Sequence, residues 1–281
     1  MQLHIIDAGT FKLDGGALFG VVPKSMWSKG MPSDENNMCE IAMRCLLIED
    51  SSRLTLIDSG IGEKQDEKFL KHFYLTGPTL LESLQAKGFH STEITDVFFT
   101  HLHFDHCGGG TQWQNNNKKA IELTFPNANY WSNQAHWQWA TQPNDREKAS
   151  FLKENLQPLE ESGQLMFVDT NAPSPFASFD ILYANGHTDQ QMIPIINYKD
   201  KKIVFMADLI PTVNHMPMPW VPSFDTRPLL TLNEKAEFLK KAAENNYILF
   251  FEHDAQHQCC TVRNTEKGVR VDQVFPLSDI L

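Results

Sequence analysis

The segment His101-Leu102-His103-Phe104-Asp105-His106 constrains this chain more than any other stretch. Three imidazoles and one carboxylate sit side by side. Neutral imidazole is the commonest protein ligand for metals, and carboxylate suits the same borderline divalent ions. In an extended segment, side chains two apart point the same way, so His101, His103 and Asp105 can share one side. His106 joins them only through a tight turn, and Gly108-Gly109-Gly110 supplies the backbone freedom for one. The bland alternative is a solvated loop rich in histidine. Distant parts of the chain argue against it.

Four apolar runs each lead into a residue of ligand type. Ile94-Thr95-Asp96-Val97-Phe98-Phe99-Thr100 reads as a buried strand that delivers His101. Phe179-Asp180-Ile181-Leu182-Tyr183-Ala184-Asn185-Gly186 leads to His187. Lys202-Ile203-Val204-Phe205-Met206-Ala207 leads to Asp208, and Tyr247-Ile248-Leu249-Phe250-Phe251-Glu252 leads to His253. Four strands that each hand a His or Asp to the C-terminal end make the arrangement a metal site at a sheet edge requires.

Composition narrows the partners. The chain has 281 residues, enough for one large domain or two small ones, and a formal net charge of −11. That charge repels phosphate backbones, so nucleic acid is not expected as a partner. No apolar run approaches a membrane span. Met1-Gln2-Leu3-His4-Ile5-Ile6-Asp7 lacks the basic and apolar regions of a secretory signal, so a cytoplasmic location is expected. The cysteines, Cys39, Cys45, Cys107, Cys259 and Cys260, are odd in number and show no disulfide pattern. Cys107 beside the histidine segment is expected to be a small packed residue rather than a thiolate ligand. There is no internal repeat or low-complexity linker, so residues 1–281 are read as a single domain.

The remaining segments read as follows. Residues 1–22 begin as a strand and pass into a loop. Gly15-Gly16-Ala17-Leu18-Phe19-Gly20-Val21-Val22-Pro23 and Met26-Trp27 form an apolar, glycine-rich segment of weak regular structure, either packed on the core or lining a pocket with Phe19 and Trp27. Strands over Met43-Arg44-Cys45-Leu46-Leu47-Ile48-Glu49 and Leu54-Thr55-Leu56-Ile57-Asp58 are joined by the turn Asp50-Ser51-Ser52-Arg53. Residues 64–87 carry helical spacing with Pro78 as an interruption and Gly88 as a stop. Residues 111–119 read as a polar surface loop, 133–139 as a helix carrying a His136 that is structural or exposed rather than a ligand, and 145–161 as a charged solvent-facing helix. His215-Met216-Pro217-Met218-Pro219-Trp220-Val221-Pro222 cannot form a helix or inner strand, because proline removes donors and fixes φ. It is an apolar loop soon after Asp208, suited to covering a substrate through His215, Met218 and Trp220. Residues 232–245 form an amphipathic helix with Ala236, Leu239, Ala242 and Ala243 on or near one face.

The pattern H-x-H-x-D-H, followed in order by His187, Asp208 and His253 and preceded by Asp58-Ser59-Gly60-Ile61-Gly62, resembles the metallo-β-lactamase superfamily. That resemblance implies an α/β fold, a four-layer αββα sandwich of mixed sheets with helices on the outer faces. It implies two divalent metal ions, zinc first, with iron or manganese as alternatives. His101, His103 and His187 would hold one ion, Asp105, His106 and His253 the other, and Asp208 would bridge them. Asp58 would orient ligands without binding metal. A hydroxide bridging the ions would be the nucleophile, with Asp105 or Asp208 passing a proton to the leaving group. No G-x-S-x-G elbow competes with this chemistry.

Within the superfamily the chain looks closest to the lactonase and organophosphate-hydrolase branch. The length and the Ala207-Asp208-Leu209-Ile210-Pro211-Thr212 and Phe251-Glu252-His253-Asp254 contexts carry that similarity. A small-molecule lactone, ester or phosphotriester with an apolar part is the expected substrate, with homodimer formation left open. Lactonases of this type carry a tyrosine three residues after the bridging aspartate. Here that position is Pro211, which leaves His215 or Trp220 as substitutes. A glyoxalase II-like thioesterase is the second expectation, and a non-catalytic metal-binding regulator is the alternative of another class.

Overall fold

The structure is a computed structural model that describes residues 1–51, 53–114 and 118–281. Ser52 of the expected 50–53 turn and Asn115, Asn116 and Asn117 of the expected surface loop lie outside the described residues. The chain divides into two compact units, Met1–Thr10 with Met43–Pro175, and Phe11–Ala42 with Phe176–Leu281. Strand β1 (Gln2–Asp14) leads into the short helices α1 (Gly15–Phe19) and α2 (Lys24–Trp27), and then into β2 (Met38–Asp50). The glycine-rich segment expected to have only weak regular structure holds two short helices. The side chain of Asp14 starts the first by accepting from the Ala17 N–H.

The first unit continues with β3 (Arg53–Ile57), α3 (Glu67–Leu70), α4 (Leu80–Ala86), β4 (Asp96–Phe98) and α5 (Phe104–Cys107). After these come β5 (Thr111–Trp113), β6 (Ile121–Leu123), β7 (Asn129–Asn133), α6 (Gln134–Thr141), α7 (Lys153–Ser162) and β8 (Leu165–Val168). Six strands lie in the order β1-β2-β3-β4-β7-β8. The β2–β3 pair is antiparallel, and β3–β4, β4–β7 and β7–β8 are parallel. Parallel neighbours need crossover connections, and α4 and α7 sit in two of them. Helix α4 opens with a capping box between Thr79 and Glu82 and buries Leu80 and Leu84. These side chains join Leu47, Leu56, Val97, Phe99, Tyr130 and Leu159 in one core.

The helical pattern over 64–87 resolves into two helices, because Gly77 takes φ +87° and Pro78 follows it. The charged pattern over 145–161 yields a helix only from Lys153. Phe151 and Leu152 precede it, and Glu147 turns inward to 3% exposure.

The second unit adds β9 (Phe179–Ala184), β10 (Gln191–Tyr198), β11 (Lys201–Phe205), α8 (Pro228–Glu244), β12 (Ile248–Phe250), β13 (Cys259–Thr265) and β14 (Gly268–Phe275). Its sheet runs β14-β13-β12-β11-β10-β9. Only β11–β12 is parallel among these pairings, and α8 makes its crossover. Pro228 opens α8, four residues before the expected start, where a missing N–H costs nothing. The buried face is also shifted from the expected one. Thr231, Lys235, Phe238, Leu239 and Ala242 face the core, and Ala236 is exposed. Among the described residues no helix is long and apolar enough to cross a membrane.

Candidate metal centre

Four ligand-type residues stand in one relation to their strands. His101, His187, Asp208 and His253 each lie three residues beyond the last strand residue, Phe98, Ala184, Phe205 and Phe250 respectively. The backbone is freed from the sheet ladder there and can be bent to aim a side chain. Ala207 takes φ +42°, and Asp58, the first residue past β3, takes φ +59°. Left-handed backbone at a non-glycine residue costs about 1–2 kcal/mol and persists only where neighbours hold it.

In the first unit, Asp58 is fully buried and receives three donors. Oδ1 accepts the Thr100 N–H at 2.7 Å. Oδ2 accepts the Thr100 hydroxyl at 2.7 Å and His106 Nδ1–H at 2.9 Å. The Thr100 hydroxyl, having given its proton to Asp58, accepts from His101 Nδ1–H at 3.1 Å. His103 Nε2–H donates to Glu147 Oε1 at 3.0 Å, and Glu147 is steadied by the Trp139 indole and the Asn144 amide at 2.8 and 3.1 Å. These partners set the tautomers of three rings. The lone pairs of His101 Nε2 and His103 Nδ1 then face each other at 3.0 Å. Two lone pairs at that distance repel unless a cation lies between them. His106 Nε2 lies 3.9 Å from Asp105 Oδ2, a separation that suits two ligands of one ion.

The second unit repeats this logic. His187 Nδ1–H donates to Asp225 Oδ1 at 2.9 Å, and the other oxygen of Asp225 accepts the Thr231 hydroxyl at 2.7 Å. His253 Nδ1–H donates to the Ala42 carbonyl at 2.8 Å. The Nε2 lone pairs of His187 and His253 then meet Asp208 Oδ2 and Oδ1, each at 3.1 Å. A lone pair against a carboxylate oxygen again calls for a cation, and the two oxygens of Asp208 serve different imidazoles. The donor set therefore fits divalent metal ions. Five buried rings each have one nitrogen held by a protein acceptor and the other left as a lone pair, the arrangement that fixes ring orientation and raises ligand basicity.

The histidine segment is shaped by close backbone approach. A Cβ on Gly109 would lie 2.1 Å from the Ser59 carbonyl oxygen, and one on Gly108 would lie 2.2 Å from that of Ile61. Bulk at either position would push the histidine loop off the Asp58 turn. His136 is buried, and its Nε2 accepts the Leu102 N–H at 2.9 Å, so it supports the loop. Cys107 donates to the Leu102 carbonyl, and burial pushes its thiol up to about 12. It is a packed thiol, as expected from the sequence.

The expected apolar residues meet within the second unit. Phe19 is stacked between Trp27, at a ring separation of 5.1 Å, and His215, at 4.7 Å. Trp220 meets it edge-on at 5.7 Å. Phe19, Trp27 and His215 are buried, whereas Met218 and Trp220 are half-buried. His215 Nε2–H donates to the Leu18 carbonyl at 2.9 Å, and Nδ1 accepts the Thr212 hydroxyl at 2.8 Å, so both ring nitrogens are committed. Burial holds its pKa down at about 4. Among the described residues the Trp220 indole N–H makes no hydrogen bond. Sequence reasoning did not single out Thr100, Glu147, Asp225 or Lys235. Thr100 adjoins His101 and was within reach, but Glu147 and Asp225 reach their imidazoles through turns that carry no spacing signal.

Residues 44–253 match the family model described as the Metallo-beta-lactamase superfamily. Among similar solved structures is a probable metal-dependent hydrolase from Staphylococcus aureus, 28% identical, with a TM-score of 0.87 over 98% of this chain and 96% of that one. AidC, a dizinc quorum-quenching lactonase in complex with a product, is 24% identical, with a TM-score of 0.80 over 98% of this chain and 95% of that one. The hydrolase AbOPH is 17% identical, with a TM-score of 0.79 over 98% and 94%. The last two likenesses are of fold alone. Two mixed six-stranded sheets with accompanying helices agree with the α/β content expected of an αββα sandwich. By its match over residues 44–253 and by the metal-ligand chemistry of both units, this chain belongs to the metallo-β-lactamase superfamily and is a hydrolase.

Proposed function

We propose that this hydrolase cleaves a lactone, ester or phosphotriester that carries an apolar part, with two divalent ions, zinc first. His101, His103 and His187 would hold one ion, Asp105, His106 and His253 the other, and Asp208 would bridge them. Residues 1–281 would act as one catalytic domain. The observation that carries this reading is the fixed tautomer of all five imidazoles, which leaves a lone pair on each. Bound ions would supply a water deprotonated near neutral pH and a Lewis acid for the developing negative charge. The chain's own residues do the rest. Asp58, Glu147, Asp225 and the Ala42 carbonyl keep the rings oriented, which spares reorganisation during reaction. Asp105 or Asp208 would pass the proton to the leaving group.

The apolar side of the substrate would meet Met218 and Trp220, backed by Phe19, Trp27 and His215. His215 has no free nitrogen with which to take the place of the lactonase tyrosine missing at Pro211, whereas the Trp220 indole N–H is available to donate. A solved relative of the same fold is a lactonase with its product N-hexnoyl-L-homoserine bound, which favours the lactone arm. The formal charge of −11 supports a small molecule over nucleic acid. We read the enzyme as cytoplasmic, and a homodimer is compatible with this reading. Acid release followed by pH-stat tests it, with N-acyl homoserine lactones, aryl esters and aryl phosphotriesters as substrates. Metal-loaded protein should release acid from at least one class and metal-stripped protein from none. Turnover of a glutathione thioester alone would move the assignment to a thioesterase, and full loading with no turnover would indicate a metal-binding regulator.

A further inference from the structure

Lys235 occupies a core position of α8, between Thr231 and Phe238, and is 1% exposed. An ammonium buried in this way is costly unless every proton finds an acceptor. Here all three do. Nζ donates to the carbonyls of His215, Pro217 (2.8 Å) and Trp220 (3.1 Å). Among the described residues no carboxylate forms an ion pair with it; burial pulls its pKa down to about 7, against the smaller opposing pull of nearby Asp225, so the three carbonyls are the contacts that favour its charged form. An apolar side chain of similar volume would fill the same place without the desolvation cost. The cation is therefore explained by what it holds. Its three acceptors all come from the Pro-rich segment, whose prolines remove the N–H groups a regular element would use. The far side of this segment is tied to α1 by Ser223, whose N–H and hydroxyl donate to the Ala17 carbonyl at 2.9 and 3.0 Å.

We propose that Lys235 is a positioning residue that fixes loop 215–220 through three converging carbonyls, and thereby sets the enzyme's preference for the length of the substrate's apolar chain. The second half of this statement rests on the proposed function, because it takes Met218 and Trp220 as substrate contacts. The first half does not. The loop is a fixed wall rather than a flap, pinned by Lys235 beneath, by the Trp27–Phe19–His215 stack, and by Ser223 at its end.

Lys235→Met keeps the volume and removes all three donors. Hydrogen exchange of the loaded protein, read by mass spectrometry, should show amides in 213–223 exchanging at least about tenfold faster, with β9–β12 unchanged, since bonds to a charged donor are worth more than a factor of ten. On substrates turned over by the wild type, KM for long acyl chains should rise about tenfold relative to short ones, with kcat on short chains kept. A lesion of global folding would instead speed exchange everywhere and lower kcat for all substrates. Should Lys235→Met not fold, Lys235→Arg serves. It keeps the charge, but a planar fork cannot meet three carbonyls converging on one atom, so the loop should loosen while the core stays protected. Unchanged loop exchange in the folded variant would overturn the proposal. Faster loop exchange with a uniform change in KM would overturn its substrate half alone. If the wild type turns over none of the substrates, the proposed function fails, and the exchange result still decides whether Lys235 holds the loop.

Discussion

Replacing Asp58 with asparagine tests the tautomer argument at its densest point. Three donors converge on the carboxylate, two of them on Oδ2. Asparagine offers one oxygen. Its better orientation puts that oxygen in the place of Oδ2, keeping the Thr100 hydroxyl and His106 and turning the amide NH2 toward the Thr100 N–H. A buried donor then loses its acceptor, at a cost of about 1–3 kcal/mol, and the two remaining bonds lose their ionic component, roughly halving their strength. The backbone adds little, because asparagine tolerates the left-handed φ of +59° found here. The metal-free protein should thus melt lower but remain folded. His106 would be held by a neutral acceptor, and metal affinity at its ion should fall about tenfold to a hundredfold, as is usual when the partner of a ligating histidine is changed. His101, which depends on Asp58 only through Thr100, should transmit a smaller loss to the other ion. Competition with a chromophoric chelator at neutral pH reads both constants. Two unchanged constants in a folded Asp58→Asn protein would refute the claim that Asp58 orients the ligand set.

Three further perturbations follow from the same geometry. Gly109→Ala would bring a Cβ to 2.1 Å from the Ser59 carbonyl oxygen, so it should cost about 1–3 kcal/mol in a thermal melt and weaken metal binding; an unaltered melt would mean that the two loops are not in close contact. His215 has its folded pKa lowered from 6.5 to about 4, so between those values the unfolded chain binds a proton that the folded chain does not. Its contribution to stability is complete above pH 6.5 and lost as pH falls toward 4, to a total of roughly 3 kcal/mol. His215→Gln should flatten that part of the stability profile, and an identical slope in the variant would contradict the assignment. Trp27→Ala and Trp220→Ala should raise KM for long-chain substrates more than for short ones, and equal effects on both would remove these residues from the substrate side.

Much of this was legible before any coordinates. The histidine segment and the three later strand ends announced themselves because ligand types fall at fixed offsets after apolar runs, and periodicity survives in a single sequence. The supporting residues are less visible. Glu147 looked like part of a solvated charged helix, and only the turn that precedes α7 brings it inward to His103. Asp225 reaches His187 from a loop of no regular pattern. Lys235 was hidden by its own type. The amphipathic pattern of α8 assigned the apolar face to alanines such as Ala236, and a lysine reads as solvent-facing unless the carbonyls that satisfy it are known. The short helices after β1 were missed because five or fewer residues carry too few turns for a helical period to register.

The central claim is that the proposed ligand set acts on two ions. Metal content measured by mass spectrometry during stepwise reconstitution of the stripped protein, with hydrolysis assayed at each step, tests it most directly. The account predicts that activity appears with the second equivalent and reaches its limit at two ions per chain, and that Asp208→Ala loses that dependence together with most turnover. Full activity at one equivalent or fewer would contradict it.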